Sequence, residues 1–299
     1  MKKKTVRSPL FYVGDKYKLI SQIKTLLPRH IGRFVEPFVG GGTVFMNVEA
    51  DEFLLNDFNT RVINIHRMLC SYCGRKNDFF DEIFSLIKKY GLTSQFLNAT
   101  EYGCNACKPG ECNVLNREAY HRMKNDFNRG GKKDIMLLYL LIIYGFNHMI
   151  RFNKKGEFNL PVGNLDFNEN AYNALNDYFA LTERKRPEWR SQDFSTFLAE
   201  IDLGKDDLVY LDPPYLISSS EYNKMWNEKC ERKLIQEMDM LNARGIHFAV
   251  SNVITYRGRK NDIFGQWAMK YNIHPIISNY ISYRDNTKKD SREVVVTNY

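Results

Sequence analysis

Asp212, Pro213, Pro214 and Tyr215 put a carboxylate and an aromatic ring on one stiff piece of backbone. Each proline fixes φ and lacks a backbone donor, and a residue before proline is pushed toward extended geometry, so the flanking side chains keep a constant relation. The apolar run Leu208, Val209, Tyr210, Leu211 in front of them predicts a strand that ends at the carboxylate. A hydrogen-bond acceptor beside a flat apolar face suits a planar ligand that carries an amino group. A plain strand-to-loop turn, with the prolines as punctuation, fits the same residues taken alone.

Three further groups could bind a ligand. Residues 33–45 read as strand, glycine turn and helix, with Glu36, Phe38 and Gly40-Gly41-Gly42 at the turn, the arrangement by which an open α/β sheet holds a nucleotide-like ligand. Asp57 follows the next strand, 52–55, seventeen positions after Gly40, where such folds bind ribose hydroxyls. The pattern G-x-G-x-x-G is missing, and Glu36 would repel a pyrophosphate, which favours a nucleoside without one. Asp193 beside Phe194 could grip a flat ring, or Asp193 could cap the helix predicted over 196–201. Near the N-terminus Gly14 allows close backbone approach, and Lys16 falls in the first turn of a helix expected over 18–27, where a cation invites an anion. An ordinary surface lysine is the alternative there.

These groups need a sheet to bring them together. The 299 residues suffice for one α/β domain with a sizeable insertion, and 43% hydrophobic with 26% charged residues is ordinary for a globular protein. The longest apolar run, 135–144, is half of the ~20 residues a bilayer span requires and predicts a buried helix. No apolar signal segment follows the basic start, so the cytoplasm is the expected location. Net charge is +8 and the pI is near 9.0, which favours a polyanionic partner. Strands are also expected at 247–251 and 292–299, and a helix at 228–241.

Between residues 60 and 190 the pattern is mainly helical. Residues 144–163 read as a β-hairpin with a basic tip, Lys154-Lys155-Gly156. Its Asn147, Arg151 and Asn153 can pair with base edges, and Phe146, Met149 and Pro161 lie among them as apolar wedges. An ordinary surface hairpin is the alternative. His148 reads as structural, residues 183–187 as a solvated charged loop and 283–291 as a polar loop. Cys70, Cys73, Cys104, Cys107 and Cys112 include two C-x-x-C pairs that leave zinc open, but Cys70 and Cys73 fall in a helical pattern and no metal site is assigned. Cys230 is unremarkable.

In their order along the chain, these motifs resemble the Dam-like, α-group DNA adenine methyltransferases, which move a methyl group from S-adenosylmethionine to adenine. The resemblance runs nearly end to end: an N-terminal Gly-x-Lys, the Glu-Pro-Phe-x-Gly-Gly-Gly turn, Asn-Asp-x-Asn, an insertion, Asp-Phe, then Asp-Pro-Pro-Tyr. It implies a Rossmann-like methyltransferase sheet with helices on both faces, residues 1–60 and 188–299 forming the cofactor-binding domain and 61–187 a mostly helical target-recognition insertion. It implies that Tyr12, Gly14 and Lys16 close the cofactor pocket, that Glu36, Phe38 and Gly40 line the methionine end, that Asp57 takes the ribose, and that Asp193 and Phe194 take the adenine. Asp212 also borders the cofactor. The hairpin residues Phe146, Asn147, Met149, Arg151, Asn153, Lys154, Lys155 and Pro161 would bind double-stranded DNA, with Arg151 reading a base. Tyr12 stands where many relatives have Trp, and Asp15 where many have a second Gly.

Such an enzyme must extrude its adenine from the duplex. Tyr215 would stack on the base, while Asp212 and the Pro213 carbonyl accept its amino hydrogens and aim the nitrogen lone pair at the methyl group. A monomer, paired with a restriction endonuclease or acting alone, is the expected form. A catalytically silent nucleic-acid-binding module and an RNA or protein-amide methyltransferase are the rival readings.

Overall fold

The computed structural model describes residues 5–98, 110–218, 226–277 and 291–299. Among the described residues, eight strands form one sheet: β1 (Arg33–Glu36), β2 (Glu52–Asn56), β3 (Glu188–Arg190), β4 (Leu208–Leu211), β5 (His247–Tyr256), β6 (Arg259–Lys260), β7 (Asn272–Ile276) and β8 (Ser291–Thr297). Their order is β3-β2-β1-β4-β5-β8-β7, with β6 paired to β5 alone. The pairs from β3 to β5 are parallel, whereas β8 runs antiparallel to both β5 and β7.

From β1 the chain moves out to β2 and β3, then returns to the other side of β1 as β4. The order therefore reverses between β1 and β4, which opens a crevice at their carboxyl ends. Glu36 ends β1 and Asp212 follows β4, so both carboxylates are delivered to that crevice.

The central strands are buried on both faces, and side-chain alternation sorts their residues into two cores. Phe34, Leu55, Tyr210, Ala249 and Val295 face one core. Val35, Leu54, Val209, Leu211, Val250 and Val296 face the other, where they meet the helices Phe194–Glu200, Glu228–Ala243 and Asp262–Ala268. The first core continues without a break into the helical segment, through Ile63, Phe79, Tyr120, Leu140 and Tyr178. Helices thus cover both faces, as expected of a Rossmann-like methyltransferase sheet. The run at 135–144 forms the helix Ile135–Ile143, buried over nearly its whole length and capped by Asp134, which accepts from the Leu137 amide at 2.8 Å.

Several expectations change. The first helix is Ile20–Leu26, so Lys16 lies in the turn ahead of it rather than in its first turn. Residues 183–185 are no solvated loop, because they close the helix Glu169–Lys185. Lys185 is buried and donates to the carbonyls of Phe45, Met46 and Val48, where the helix Thr43–Asn47 ends with orphan acceptors. Arg184 pairs with Glu49 at 2.9 Å. Strands β3, β6 and β7 were not expected; β3 and β6 are short, β3 has a charged residue on each side of Trp189, and β7 contains a proline and is only partly buried. Cys104, Cys107 and residues 283–290 of the expected loop lie outside the described residues. No helix among the described residues is long and apolar enough to cross a membrane.

Replacing Lys185 by Met keeps most of the side chain's volume and removes the donors to these carbonyls. We expect a loss of about 2–4 kcal/mol in unfolding free energy by urea denaturation. A change below about 0.5 kcal/mol, the ordinary range for a surface site, would contradict the capping role.

Candidate active site

The turn after β1 fixes one wall of the crevice. Gly40 and Gly42 have φ of +47° and +79°, a region costly for other residues. A Cβ on Gly42 would stand 2.4 Å from the Phe45 ring, and one on Gly41 2.7 Å from Tyr12 Cβ, so Tyr12 packs directly on the turn. Ser8 Oγ donates to the Gly41 carbonyl. Asp57 accepts from the Gly40 amide at 2.9 Å and from the Asn59 amide at 2.8 Å, one bond on each oxygen. Burial raises its pKa to about 6. Beneath the turn lies His66, which the sequence reading did not single out. Its Nε2 meets the Gly40 carbonyl and its Nδ1 the Tyr178 hydroxyl, both at 2.9 Å, and its ring stacks on Trp189 at 4.3 Å. Burial lowers its pKa to about 4.

Opposite the turn, Asp212 leaves β4 between two partners. Lys16 Nζ binds its Oδ2 at 2.8 Å, and the Tyr215 hydroxyl binds its Oδ1 at 3.0 Å. Lys16 is 5% exposed and its Nζ stands 5.1 Å from the Tyr215 ring centre, within reach of a cation–π contact. The anion that Lys16 invites is thus Asp212. Burial would strip Lys16 of its proton, but Asp212 and then Glu293 outweigh it and raise its pKa. Glu293, on β8, is buried and stands 3.2 Å from the Tyr215 hydroxyl; it too went unnoticed in the sequence, 78 positions away. Glu36 is also buried. Desolvation first, then Asp212, hold its pKa well above the usual carboxylate range, and its Oε2 has no hydrogen-bond partner among the described residues.

An aromatic corner flanks the crevice. Phe38 lies 5.1 Å from Phe194 and 5.8 Å from Trp226, which is 5.9 Å from Phe194. Trp226 was missed because nothing near it in sequence marks a site. Its indole nitrogen donates to buried Glu231 at 2.6 Å, and Asn252 and Asn261 donate to the other oxygen of that carboxylate. Asp193 is the N-cap of the helix Phe194–Glu200, accepting from the Ser195 amide, and it pairs with Lys233 at 3.1 Å. Both contacts use Oδ1, so capping leaves its second oxygen for other work. The helix starts two residues earlier than expected because this cap begins it.

The hairpin is present, held by two isolated antiparallel bridges, Gly145 with Val162 and Phe152 with Phe158, rather than by a regular ladder. Phe146, Asn147, Lys154, Lys155 and Pro161 are exposed, and Met149 is half-buried. Asn147 and His148 hold positive φ, and His148 binds the Ile142 carbonyl at 3.1 Å, in keeping with a structural role. Asn153 spends its side chain on the turn, accepting from the Lys155 and Glu157 amides and donating to the Glu157 carboxylate. Arg151 is folded across the hairpin onto the Asn159 side chain and carbonyl, at 3.0 and 2.7 Å. No cluster of metal-ligating side chains occurs among the described residues.

The crevice thus offers a paired carboxylate next to an aromatic ring, a turn open to close approach and an unpartnered buried acceptor. A family model described as D12 class N6 adenine-specific DNA methyltransferase matches residues 12–280. The chain is 34% identical over 304 residues to the type II methyltransferase M.FokI of Planomicrobium okeanokoites, covering 98% of this chain and 43% of that protein. It is 33% identical over 308 residues to the modification methylase StsI of Streptococcus sanguinis, covering 99% and 43%. A DNA adenine methylase of Escherichia coli (strain K12) is 25% identical over 300 residues, covering 97% and 94%. The chain therefore spans less than half the length of the first two relatives.

Because His66 has a folded pKa of about 4 against an ordinary 6.5, the unfolded chain binds more protons between those values, and its contribution lowers stability as pH falls through that window. Asp57, raised from 3.8 to about 6, acts in the opposite sense. His66→Gln should therefore lose less stability than the wild type between pH 6.5 and about 4. Parallel urea-midpoint curves for the two proteins would contradict a buried neutral imidazole.

Proposed function

The chain belongs to the D12 class N6 adenine-specific DNA methyltransferase family, and on that footing we propose that it transfers a methyl group from S-adenosylmethionine to the exocyclic N6 of an adenine flipped out of duplex DNA. The observation that carries this reading is the placement of Asp212 and Tyr215 at the carboxyl end of β4, held by Lys16 across the crevice from the glycine turn.

S-adenosylmethionine supplies an electrophilic methyl group. The crevice fits it: the unpartnered Oε2 of Glu36 is an acceptor awaiting a donor such as the cofactor's amino group. Gly40 lets the backbone approach, and Tyr12, Gly14 and Phe38 line the same end. Asp57 has an oxygen pair at the end of β2, where the ribose hydroxyls would lie, and its bonds to the Gly40 and Asn59 amides keep it aimed. Phe38, Phe194 and Trp226 form an apolar surface for the cofactor's adenine, with Asp193 at its edge as acceptor.

The chain's own residues then act on the target base. Its N6 is a weak nucleophile because the lone pair is delocalised into the ring. Asp212 and the Pro213 carbonyl accept the two amino hydrogens, which favours a tetrahedral nitrogen with its lone pair exposed. Pro213 and Pro214 hold these acceptors rigid, so little reorganisation is required at the moment of transfer. The Tyr215 ring offers base stacking worth ~1–3 kcal/mol, which offsets much of the cost of extrusion.

Residues 61–187 act as the target-recognition part and residues 1–60 with 188–299 as the cofactor-binding part. The hairpin enters the DNA groove with Phe146, Asn147, Met149 and Pro161, while Lys154 and Lys155 meet phosphates. Arg151 reaches a base by exchanging its bonds to Asn159 for bonds to the base edge, and Asn153 serves mainly by shaping the tip. Two relatives are named modification methylases or type II methyltransferases, which supports a role beside a restriction endonuclease. We place the protein in the cytoplasm and take the chain to act as a monomer.

Incubation with duplex DNA and methyl-labelled S-adenosylmethionine should place label on adenine N6. Label in RNA or protein, or in neither, would refute this function. Asp212→Ala should abolish transfer while cofactor binding remains measurable by calorimetry; wild-type turnover in that variant would refute its role. Arg151→Ala should reduce discrimination between cognate and altered sites by ~1–3 kcal/mol, and unchanged specificity would move base reading elsewhere.

A further inference from the structure

Methylation leaves a proton to be removed. The reacting N6 carries two hydrogens before transfer and one in the neutral product, and the acceptor it meets, Asp212, is already engaged on both oxygens. Lys16 occupies Oδ2 at 2.8 Å and keeps its own proton, because Asp212 and Glu293 together overcome the effect of its burial. The surviving route is through Oδ1, which lies 3.0 Å from the Tyr215 hydroxyl. That hydroxyl is in turn 3.2 Å from Glu293 Oε1, and Glu293 is only 2% exposed. A phenol has one proton, so between two carboxylates it donates to one at a time. When the substrate's amino group donates to Asp212 Oδ1, the Tyr215 O–H turns to Glu293, the second carboxylate within its reach.

We propose that Asp212, Tyr215 and Glu293 form a proton relay, in which Glu293 receives the proton shed by the methylated nitrogen. The proposal rests on the methyl-transfer reading above. As the N6 lone pair forms the new bond to carbon, the carbon–sulfur bond breaks and its electron pair stays on sulfur. One N6–H bond then breaks with its pair returning to nitrogen, and the proton passes to Asp212 Oδ1. Asp212 gives it to Tyr215 Oη while the phenol's own proton moves to Glu293 Oε1. Asp212 and Tyr215 are restored, Glu293 is protonated, and it returns the proton to water before the next turnover. The ring of Tyr215 and its hydroxyl thus do separate work, one stacking and the other carrying a proton. Glu293 comes from β8, next to β5, and reaches the site only because that strand inserts antiparallel into the sheet.

The other charged or titratable groups acting on this set are Glu36 from β1, Asp15 beside Lys16, and Tyr210 on β4. Tyr210 bonds Ser251 at 2.7 Å, and burial foremost raises its pKa well above the usual phenol range, so it does not exchange protons near neutrality.

The test uses the full chain, duplex DNA and S-adenosylmethionine in single-turnover methyl transfer across pH 6 to about 9, the span in which an ordinary base would take over. Glu293→Gln keeps an acceptor for the Tyr215 hydroxyl but cannot take a proton; Tyr215→Phe keeps the ring and breaks the relay. Both should be slowed by ~10–100-fold at neutral pH, as expected when a positioned base is lost, and both should recover as pH rises. Cofactor affinity by calorimetry should stay within about twofold of wild type. A wild-type rate and pH profile in either variant would overturn the relay. So would a loss in Glu293→Gln that runs parallel to wild type at every pH, since that is the mark of a purely structural role. If Glu293→Gln fails to fold by circular dichroism, Tyr215→Phe alone decides. A wild-type chain that methylates no DNA would instead overturn the methyl-transfer reading itself.

Discussion

A buried lysine and the half-buried aspartate it pairs with govern the rest of the site. An isolated charge in a protein interior is costly, and removing one member of a buried pair strands the other. Lys16 and Asp212 lie far apart in the chain, one in the turn before the first helix and one at the end of β4, and the buried Lys16 charge is costly at its place without its partner. Their pairing ties the N-terminal segment to the sheet and fixes which oxygen of Asp212 is left for chemistry. It also explains why so many acids gather here. Lys16 is the buried cation against which Asp212, Glu293 and, more weakly, Glu36 are set.

The opposite wall is built on backbone geometry rather than charge. Gly40 and Gly42 take left-handed conformations, and the groups that hold them are hydrogen bonds from beneath and beside: His66 on the Gly40 carbonyl and Asp57 on the Gly40 amide. One amino acid thus has both its backbone groups claimed by side chains from elsewhere in the fold, buried His66 and partly exposed Asp57. That arrangement keeps the turn rigid, and the absence of a Cβ at Gly40 lets a ligand approach the backbone closely.

Residues whose signal is local were legible in the sequence. Asp212-Pro213-Pro214-Tyr215 announces itself by the two prolines, Gly40-Gly41-Gly42 by composition, and Asp57 by its distance from that turn. The strand-and-helix alternation around them was enough to foresee an α/β domain, and the family resemblance implied the helices on both faces. Lys16 was legible as a cation seeking an anion, but its partner, 196 positions away, was not. Glu293, His66 and Trp226 reach the site through tertiary packing, and each looks unremarkable in its own stretch. The charge run at 183–187 misled because a charged helix end and a solvated loop share a composition; only the carbonyls awaiting Lys185 separate them. Arg151 was legible as an arginine on a hairpin, while its bonds to Asn159 depend on how the hairpin closes.

The central claim is that the Lys16 ammonium holds the Asp212 carboxylate aimed at the target base. Lys16→Met, which retains the chain's length and apolar stem, tests it in a single-turnover methyl-transfer assay on duplex DNA, with circular dichroism to establish folding. A folded variant slowed by about a hundredfold or more is expected, in line with the ~3–5 kcal/mol at stake when one partner of a buried pair is removed. A folded Lys16→Met protein that methylates DNA at the wild-type rate would contradict it.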